Sequence, residues 1–558
     1  MSERGQQAAV TDDIFDYDAD VLVVGTGGAA FAAGITAAAE GASVIMFERN
    51  DRVGGTTALS AGTAWIPNNP SLRDQPRDDA RDDAIRYMCR MSYPQWYCAG
   101  HRTLGLPTDA YELIETFYDN GSRAVEYLTE VGALDVVADD AVPDPTRPID
   151  LGFGILLSAM PDYGAELAEN KMPNGRHCRP SAGMPAIIEQ FELAARKQGV
   201  DIVLEHQAGK LLQNDERAAV GLELRYRHLT VLARARKSVV FASGGFAHNE
   251  ELVRRYLPGR VFGSCSTFGA QGDFVRIGIE AGAQLGNMAN AWWKQVPLQL
   301  ALRSPSPPGV WIPWGDAMIH VNKYGRRLVN EKMAYSDRSK IHAVYDPNRR
   351  EYPNLLMFML YDDTVASSES RHVMRHPIPR PGKDADYVIK GDTWDDLAAK
   401  IDACLAEMSE HIAGLRLDPS FSANLAATIA RFDEFAESGV DLDFGRGDAP
   451  IARAWSGPNR PGSPNPTIAP FAGTGPYYCI ILCAATLDTN GGPVINTKAQ
   501  VLDVNGTPIP GLYGAGNCIA SPAGQGYWGP GATIGLGITF GHLAGLGAAA
   551  ESVKPFDI

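Results

Sequence analysis

The chain has 558 residues, 45% of them apolar and 21% charged, with a formal net charge of −16. This length holds more than one domain and a large core, and the acidic balance without a basic stripe argues against a nucleic-acid partner. Eight cysteines are scattered without a CxxC pair. They predict free thiols in a reducing compartment, with no disulfide frame and no metal site.

No apolar run approaches the roughly 18 residues of a membrane span, so no spanning helix is expected. The opening "MSERGQQAAVTDDIFDYDAD" is polar and acidic and lacks the apolar core of a secretory signal. The expected location is cytoplasmic, with peripheral membrane attachment as a variant.

The first element is "DVLVVGTGGAAFAAGITAAAEGASVIMFERN". Asp20–Val24 predicts a strand, Ala29–Glu40 a small-residue helix, and "SVIMFE" a second strand ending in Glu48. Between them, Gly25, Gly27 and Gly28, with Ala29 and Ala30, form a GxGGxA turn. Bare backbone there lets a pyrophosphate approach, and the helix N-terminus favours its charge. Glu48 lies 23 residues after Gly25, where a carboxylate accepts from ribose hydroxyls, and Arg49 follows it. At this point NAD and FAD are both open.

"DRVGGTTALSAGTAWIPNN" decides for FAD. Gly55, Thr56, Thr57, Ser60, Ala61 and Gly62 place hydroxyls and glycines where a pyrophosphate and a flavin ring would run. A nicotinamide enzyme would continue into another βαβ unit. "MPAIIEQFELAARKQGVDIVLEHQAGKLLQ" reads as a helix and a strand pair, and further strands follow. Together they suggest a small sheet inserted in the nucleotide domain, with Ala208 near the adenosine. "SVVFASGGFAHN" then breaks at Ala242, Ser243 and Gly244, and His248 is expected to support that loop.

From about Ala289 the texture changes. Trp292, Trp293, Trp311 and Trp314 cluster in a Pro-rich region, and helical segments such as "TWDDLAAKIDACLAEMSEHIAG" follow. Near "LDTNGG" the chain should rejoin the nucleotide domain, and "PIPGLYGAGNC" is a last strand breaking at Gly516 and Asn517. The expected fold class is α/β, a Rossmann-like FAD-binding domain with an inserted α+β catalytic cap. The expected boundaries are 1–288 and 488–558 for the FAD-binding part and 289–487 for the cap. A ligand site is expected in the crevice between them.

The last motif is "AGQGYWGPGATIG", a tyrosine on a Gly-rich turn ahead of an apolar helix. Together with "VGTGGAAFAAGITAAAEGASVIMFE" and "GGTTALSAGTAWIPNN" it resembles the flavoprotein 3-ketosteroid Δ1-dehydrogenases. These belong to the fumarate reductase/succinate dehydrogenase flavoprotein superfamily. The resemblance covers most of the chain. It implies non-covalent FAD, held also by Gly531 and Ile534, and a small apolar ketone, a steroid, as substrate. It also implies an external electron acceptor such as a quinone.

By the same resemblance, Tyr527 and the Gly531 amide hold the ketone oxygen and stabilise an enolate. Tyr335 in "NEKMAYSD" takes the α-proton, Tyr163 in "PDYGAEL" hydrogen-bonds to that base, and a hydride passes to flavin N5. A neighbouring phenol should favour the tyrosinate form of the base. Tyr477 and Tyr478 are expected as cavity wall. The helix from Ala532 should favour negative charge on a reduced ring. The rival activities are a Δ4-(5α)-3-ketosteroid dehydrogenase and a fumarate-reductase-like enoate reductase. The second needs Arg and His to clamp an acid. No arginine lies between Gly511 and Ile558, which favours a neutral ketone. A non-catalytic flavin-binding protein is the remaining class.

Overall fold

The computed structural model describes residues 14–73, 79–138, 161–180, 186–368, 375–454, 460 and 462–556. Most of the polar N-terminal stretch read above, residues 1–13, lies outside them.

Strand β1 (Tyr17–Val24) buries Val21, Leu22 and Val23 completely. An unbroken apolar run of this kind suits a strand covered on both faces of a parallel sheet. It pairs in parallel with β2 (Val44–Phe47) on one side and with Leu229–Phe241 on the other. Helix α1 (Gly28–Ala39) makes the crossover between β1 and β2. The sheet has eight strands, with Asp201–Val203 beyond β2 and Pro508–Gly514 and Gln500–Leu502 beyond Leu229–Phe241.

The strands of 207–241 do not form a separate inserted sheet. Gln207–Gln213 and Ala219–Tyr226 form an antiparallel meander that continues into Leu229–Phe241. The first half of that 13-residue strand completes the meander, and its second half lies beside β1. One long strand therefore carries both pairings.

The second sheet is built around Tyr477–Thr489. That strand pairs antiparallel with Ala291–Pro297, Leu356–Asp362 and Val388–Gly391, and in parallel with Gly263–Ser264. Leu356–Asp362 is buried at every position and pairs on its far side with Met318–Val321. Helix Trp394–Glu407 starts at Thr393, whose side chain accepts from the Asp396 amide and so satisfies a free N–H of the first turn. The fold class is the expected one.

Helix Ala532–Ala550 lies against α1 with backbone almost touching backbone. A Cβ at Gly541 would stand 2.3 Å from the Ala29 carbonyl oxygen, and one at Gly545 would stand 2.4 Å from that of Ala33. The glycines are therefore a packing requirement. This helix also corrects the reading that no apolar run is long enough to span a membrane. Its 19 residues pass that test by length and composition, yet 78% of the tested window is buried inside the protein.

Candidate active site

One cleft runs along the C-terminal ends of the parallel strands, where open α/β sheets bind ligands. Of the sequence-predicted cofactor residues, Gly25, Gly27, Gly28, Ala29, Glu48, Arg49, Gly55, Thr56, Thr57 and Ser60 line it. So do Ala208, Ala242, Ser243, Gly244, Gly516, Asn517 and Ile534. Gly25 has φ +105°, and a Cβ there would strike the Ala242 carbonyl oxygen at 2.5 Å. The wall at this point can only be bare backbone. Glu48 is buried and takes the Thr26 hydroxyl at 2.6 Å on one oxygen. Its other oxygen takes the Asn50 amide and side chain, each at 2.9 Å. A carboxylate oxygen has lone pairs to spare for ribose hydroxyls. Among the described residues the Ser243 hydroxyl has no oxygen or nitrogen partner, and the Cys518 thiol lies beside it. The cleft thus fits an FAD: an acid at the ribose position, bare backbone for the pyrophosphate, and one polar group awaiting a ligand.

Ala30 is a correction. It is fully buried and absent from the cleft wall. The third small residue of such a turn serves helix–strand packing, where a side chain would hold α1 off the sheet. Ala61, Gly62 and Gly531 lie on a second cavity instead. The sequence reading missed Thr26, Asp273 and Asp488 on the cleft. Thr26 occupies the variable position of the Gly turn and carries no signal of its own. Asp273 takes Arg49 at 3.1 Å and Gln207 at 2.9 Å. Asp488 sits in "LDTNGG", a stretch read only as a return point. It accepts from the Gly245 amide at 2.9 Å and the Asn517 side chain at 3.1 Å, and burial lifts its carboxyl to about 6.

The second cavity is about 430 Å³ and shares Thr56, Ser60, Asp488, Asn517, Thr533 and Ile534 with the cleft, so the two adjoin. Tyr335, Tyr527 and Gly531 line it. Tyr163 packs behind the two tyrosines, its ring 5.4 Å from Tyr335 and 5.2 Å from Tyr527, edge to face. Tyr335 and Tyr527 are themselves 5.7 Å apart. Three residues separated by hundreds of positions thus form one aromatic corner.

Each is held from outside the cavity. Tyr335 opens the short helix Tyr335–Ser339. Arg338 on that helix donates to Gln295 and to the carbonyls of Val310, Trp311, Glu331 and Met333, tying the surrounding loops together. Asp162, next to Tyr163, takes the Trp65 indole at 2.7 Å and Arg176 at 2.6 Å. Burial nevertheless lifts the Asp162 carboxyl to about 6. The Tyr163 amide donates to the Trp528 carbonyl at 3.0 Å, which joins it to the Tyr527 turn. Gly531 caps the last helix with φ +92°, and a Cβ there would lie 2.3 Å from the Thr63 carbonyl oxygen. A glycine is required at this place in the turn.

The electrostatics reverse one expectation. The hydroxyls of Tyr163, Tyr335 and Tyr527 are buried and close enough to influence one another. Burial, then the Tyr163 and Tyr527 phenols, hold Tyr335 well above the ordinary tyrosine value. The expected lowering by a neighbouring phenol is absent: desolvation of the tyrosinate raises Tyr335 most, and the two phenols add to that rise. Tyr527 is also raised by burial, while Tyr335, the Thr533 hydroxyl and the Gly531 amide act in the other direction.

The tryptophans separate. Trp292 and Trp311 line the cavity, Trp314 lies in the core of the second sheet, and Trp293 packs with Phe246 and Leu257. Tyr477 and Tyr478 are not cavity wall. Tyr477 stacks on Trp394 at 3.8 Å, and Tyr478 stacks on Tyr361 and donates to Asp363. His248 does support its loop, facing the Ser266 carbonyl at 3.0 Å. Lys294 lines the cavity and was not anticipated.

The FAD-binding domain family matches residues 20–534. The 4-oxocyclohexanecarboxylate 2-dehydrogenase of Sinomonas cyclohexanicum is 29% identical, over 96% of this chain and 93% of that protein. The 3-oxosteroid 1-dehydrogenase of Mycolicibacterium smegmatis is 28% identical, over 96% and 97%. In structure, the chain is similar to the 3-ketosteroid Δ1-dehydrogenase of Sterolibacterium denitrificans. The TM-score is 0.77 at 23% identity, with 96% of this chain and 99% of that one covered. The resemblance carried by the glycine motifs and the Tyr-Trp-Gly-Pro-Gly turn is borne out.

Proposed function

Since the chain belongs to the FAD-binding domain family and is an FAD-dependent oxidoreductase, we propose that it desaturates a ring ketone. Hydrogens leave the α- and β-carbons, and the product is an α,β-unsaturated ketone. Δ1-dehydrogenation of a 3-ketosteroid is the steroid form of this reaction. The observation that carries the reading is the aromatic corner of Tyr163, Tyr335 and Tyr527 at a cavity that adjoins the flavin cleft.

The residues divide the work. The Tyr527 hydroxyl and Gly531 amide bind the ketone oxygen and draw charge onto it, which acidifies the α-carbon. The Tyr335 oxygen takes the α-proton. Tyr163 positions that oxygen from behind. Trp292 and Trp311 keep water from the ring. When bound, FAD supplies the two-electron acceptor for the hydrogen leaving the β-carbon. Gly25, Gly27, Gly28 and Glu48 would hold its nucleotide end, and residues 55–62, 516–517 and 531–534 its ring. Residues 289–487 act as the cap over that ring, with 1–288 and 488–558 forming the FAD-binding part.

Two results are expected. Acid precipitation should release a yellow supernatant whose flavin has the mass of FAD. Flavin left on the denatured protein would contradict non-covalent binding. Anaerobic mixing with 3-ketosteroids, cyclohexanones and 4-oxocyclohexanecarboxylate should bleach the flavin with at least one ring ketone. If none does, and fumarate reoxidises the reduced protein, the enoate reductase replaces this reading.

A further inference from the structure

Lys294 is a buried cation that a neutral ketone would leave unpaired. Its side chain extends from strand Ala291–Pro297 and is 1% exposed. Among the described residues it has no carboxylate partner. The ammonium lies 3.0 Å from the centre of the Trp311 ring and 4.7 Å from that of Tyr335. The Trp311 face stabilises it in part. Space for it depends on Gly309, where a Cβ would stand 2.0 Å from Lys294 Cε.

The carboxyl on this cavity, Asp488, is taken by the Gly245 amide and the Asn517 side chain, and no ion pair joins it to Lys294 among the described residues. Arg338 is a second cation, and its donors are taken by Gln295 and backbone carbonyls. Cys265 is a thiol whose own ionisation burial disfavours. His376, also on the cavity, donates a ring N–H to the Pro308 carbonyl and is held neutral by burial, down to about 4. Tyr335 is a neutral phenol. An unpaired buried charge is costly, so a site that retains one is suited to an anionic ligand.

We propose, resting on the desaturase reading above, that the substrate is a ring ketone bearing a carboxylate, with Lys294 holding the carboxylate while Tyr527 and Gly531 hold the ketone oxygen. Tyr335 stands between the two ends, in contact with both the ammonium and the Tyr527 ring. The C-terminal loop has no arginine, and the cation comes instead from a strand of the other sheet. Burial brings the Lys294 ammonium down to about 7. It is charged below that pH and loses its proton above it, so affinity for the acid should fall as pH rises through 7.

The test compares 4-oxocyclohexanecarboxylate with its methyl ester on the FAD-loaded protein at pH 6.5. Half-saturation is read from flavin bleaching, or from the shift in the flavin spectrum if no bleaching occurs. Wild type should prefer the acid by about 10- to 100-fold, the scale of a buried charge-assisted contact. Lys294→Met should abolish the preference, and Lys294→Arg should keep part of it. An ester bound as tightly as the acid by wild type, or a preference surviving in Lys294→Met, overturns the proposal. If Lys294→Met fails to retain FAD, the wild-type acid-to-ester ratio at pH 6.5 and pH 8.5 decides. A fall in that ratio supports Lys294, and a constant ratio overturns it. Selective binding of the acid without bleaching by any ketone would leave the carboxylate site standing and remove the desaturase reading.

Discussion

Tyr335→Phe should slow flavin reduction by about 10²–10⁴-fold, the scale of a general base, while FAD stays bound. The phenyl ring keeps its edge-to-face contacts with Trp311 at 4.8 Å and Tyr163 at 5.4 Å. Only the phenolic oxygen is lost, from beside the Tyr163 and Tyr527 phenols. The ring packing is kept, so the melting temperature should change little. The wild-type pH profile gives the complementary reading. Tyr335 is held above the ordinary tyrosine value, so it is protonated at neutral pH, and the reduction rate at saturating ketone should climb as pH rises. The variant should lose that slope. Stopped-flow reduction near the wild-type rate in Tyr335→Phe would remove this residue from the chemistry.

Tyr527→Phe should cost about 10²–10³ in reduction rate, with a smaller loss of ketone affinity. Its hydroxyl matters most when charge collects on the ketone oxygen, which happens in the transition state. The Gly531 amide survives in this variant, so some activity remains. Gly531 itself is a poor target, because any side chain there would collide with the Thr63 carbonyl. The ring of Tyr527 touches Trp292, Tyr163 and Tyr335, and phenylalanine preserves those contacts. An unchanged rate with much weaker affinity would show that Tyr527 only anchors the substrate.

The two substitutions probe residues of very different legibility. Tyr527 stands in a Gly-rich turn whose composition is informative by itself. A tyrosine and a tryptophan among four glycines have no use in a flexible tail. Tyr335 and Tyr163 lie in ordinary surroundings, and only the family resemblance singled them out. Tyr477 and Tyr478 show the opposite error. An adjacent tyrosine pair suggested a cavity wall, and both side chains pack within the second sheet.

The sequence by itself determined the nucleotide grip. Strand, glycine turn, helix, second strand and Glu48 are all local, and each is constrained by backbone geometry within about thirty residues. Bare backbone at Gly25 and a buried acid at Glu48 leave little freedom in what such a unit can hold. What only the tertiary structure decided depends on contacts between distant segments. Ala30 could not be told from its neighbours until α1 was seen against the sheet. The split of the tryptophans depended on which face of the second sheet each reached. The proton affinity of Tyr335 depended on burial, which no short stretch of sequence reports, and both burial and the neighbouring phenols raise it. Lys294 is the clearest case. In the chain it is one basic residue after two tryptophans. Folding removes it from water, gives it no carboxylate partner among the described residues and sets it beside Tyr335, and desolvation then brings its ammonium to about 7.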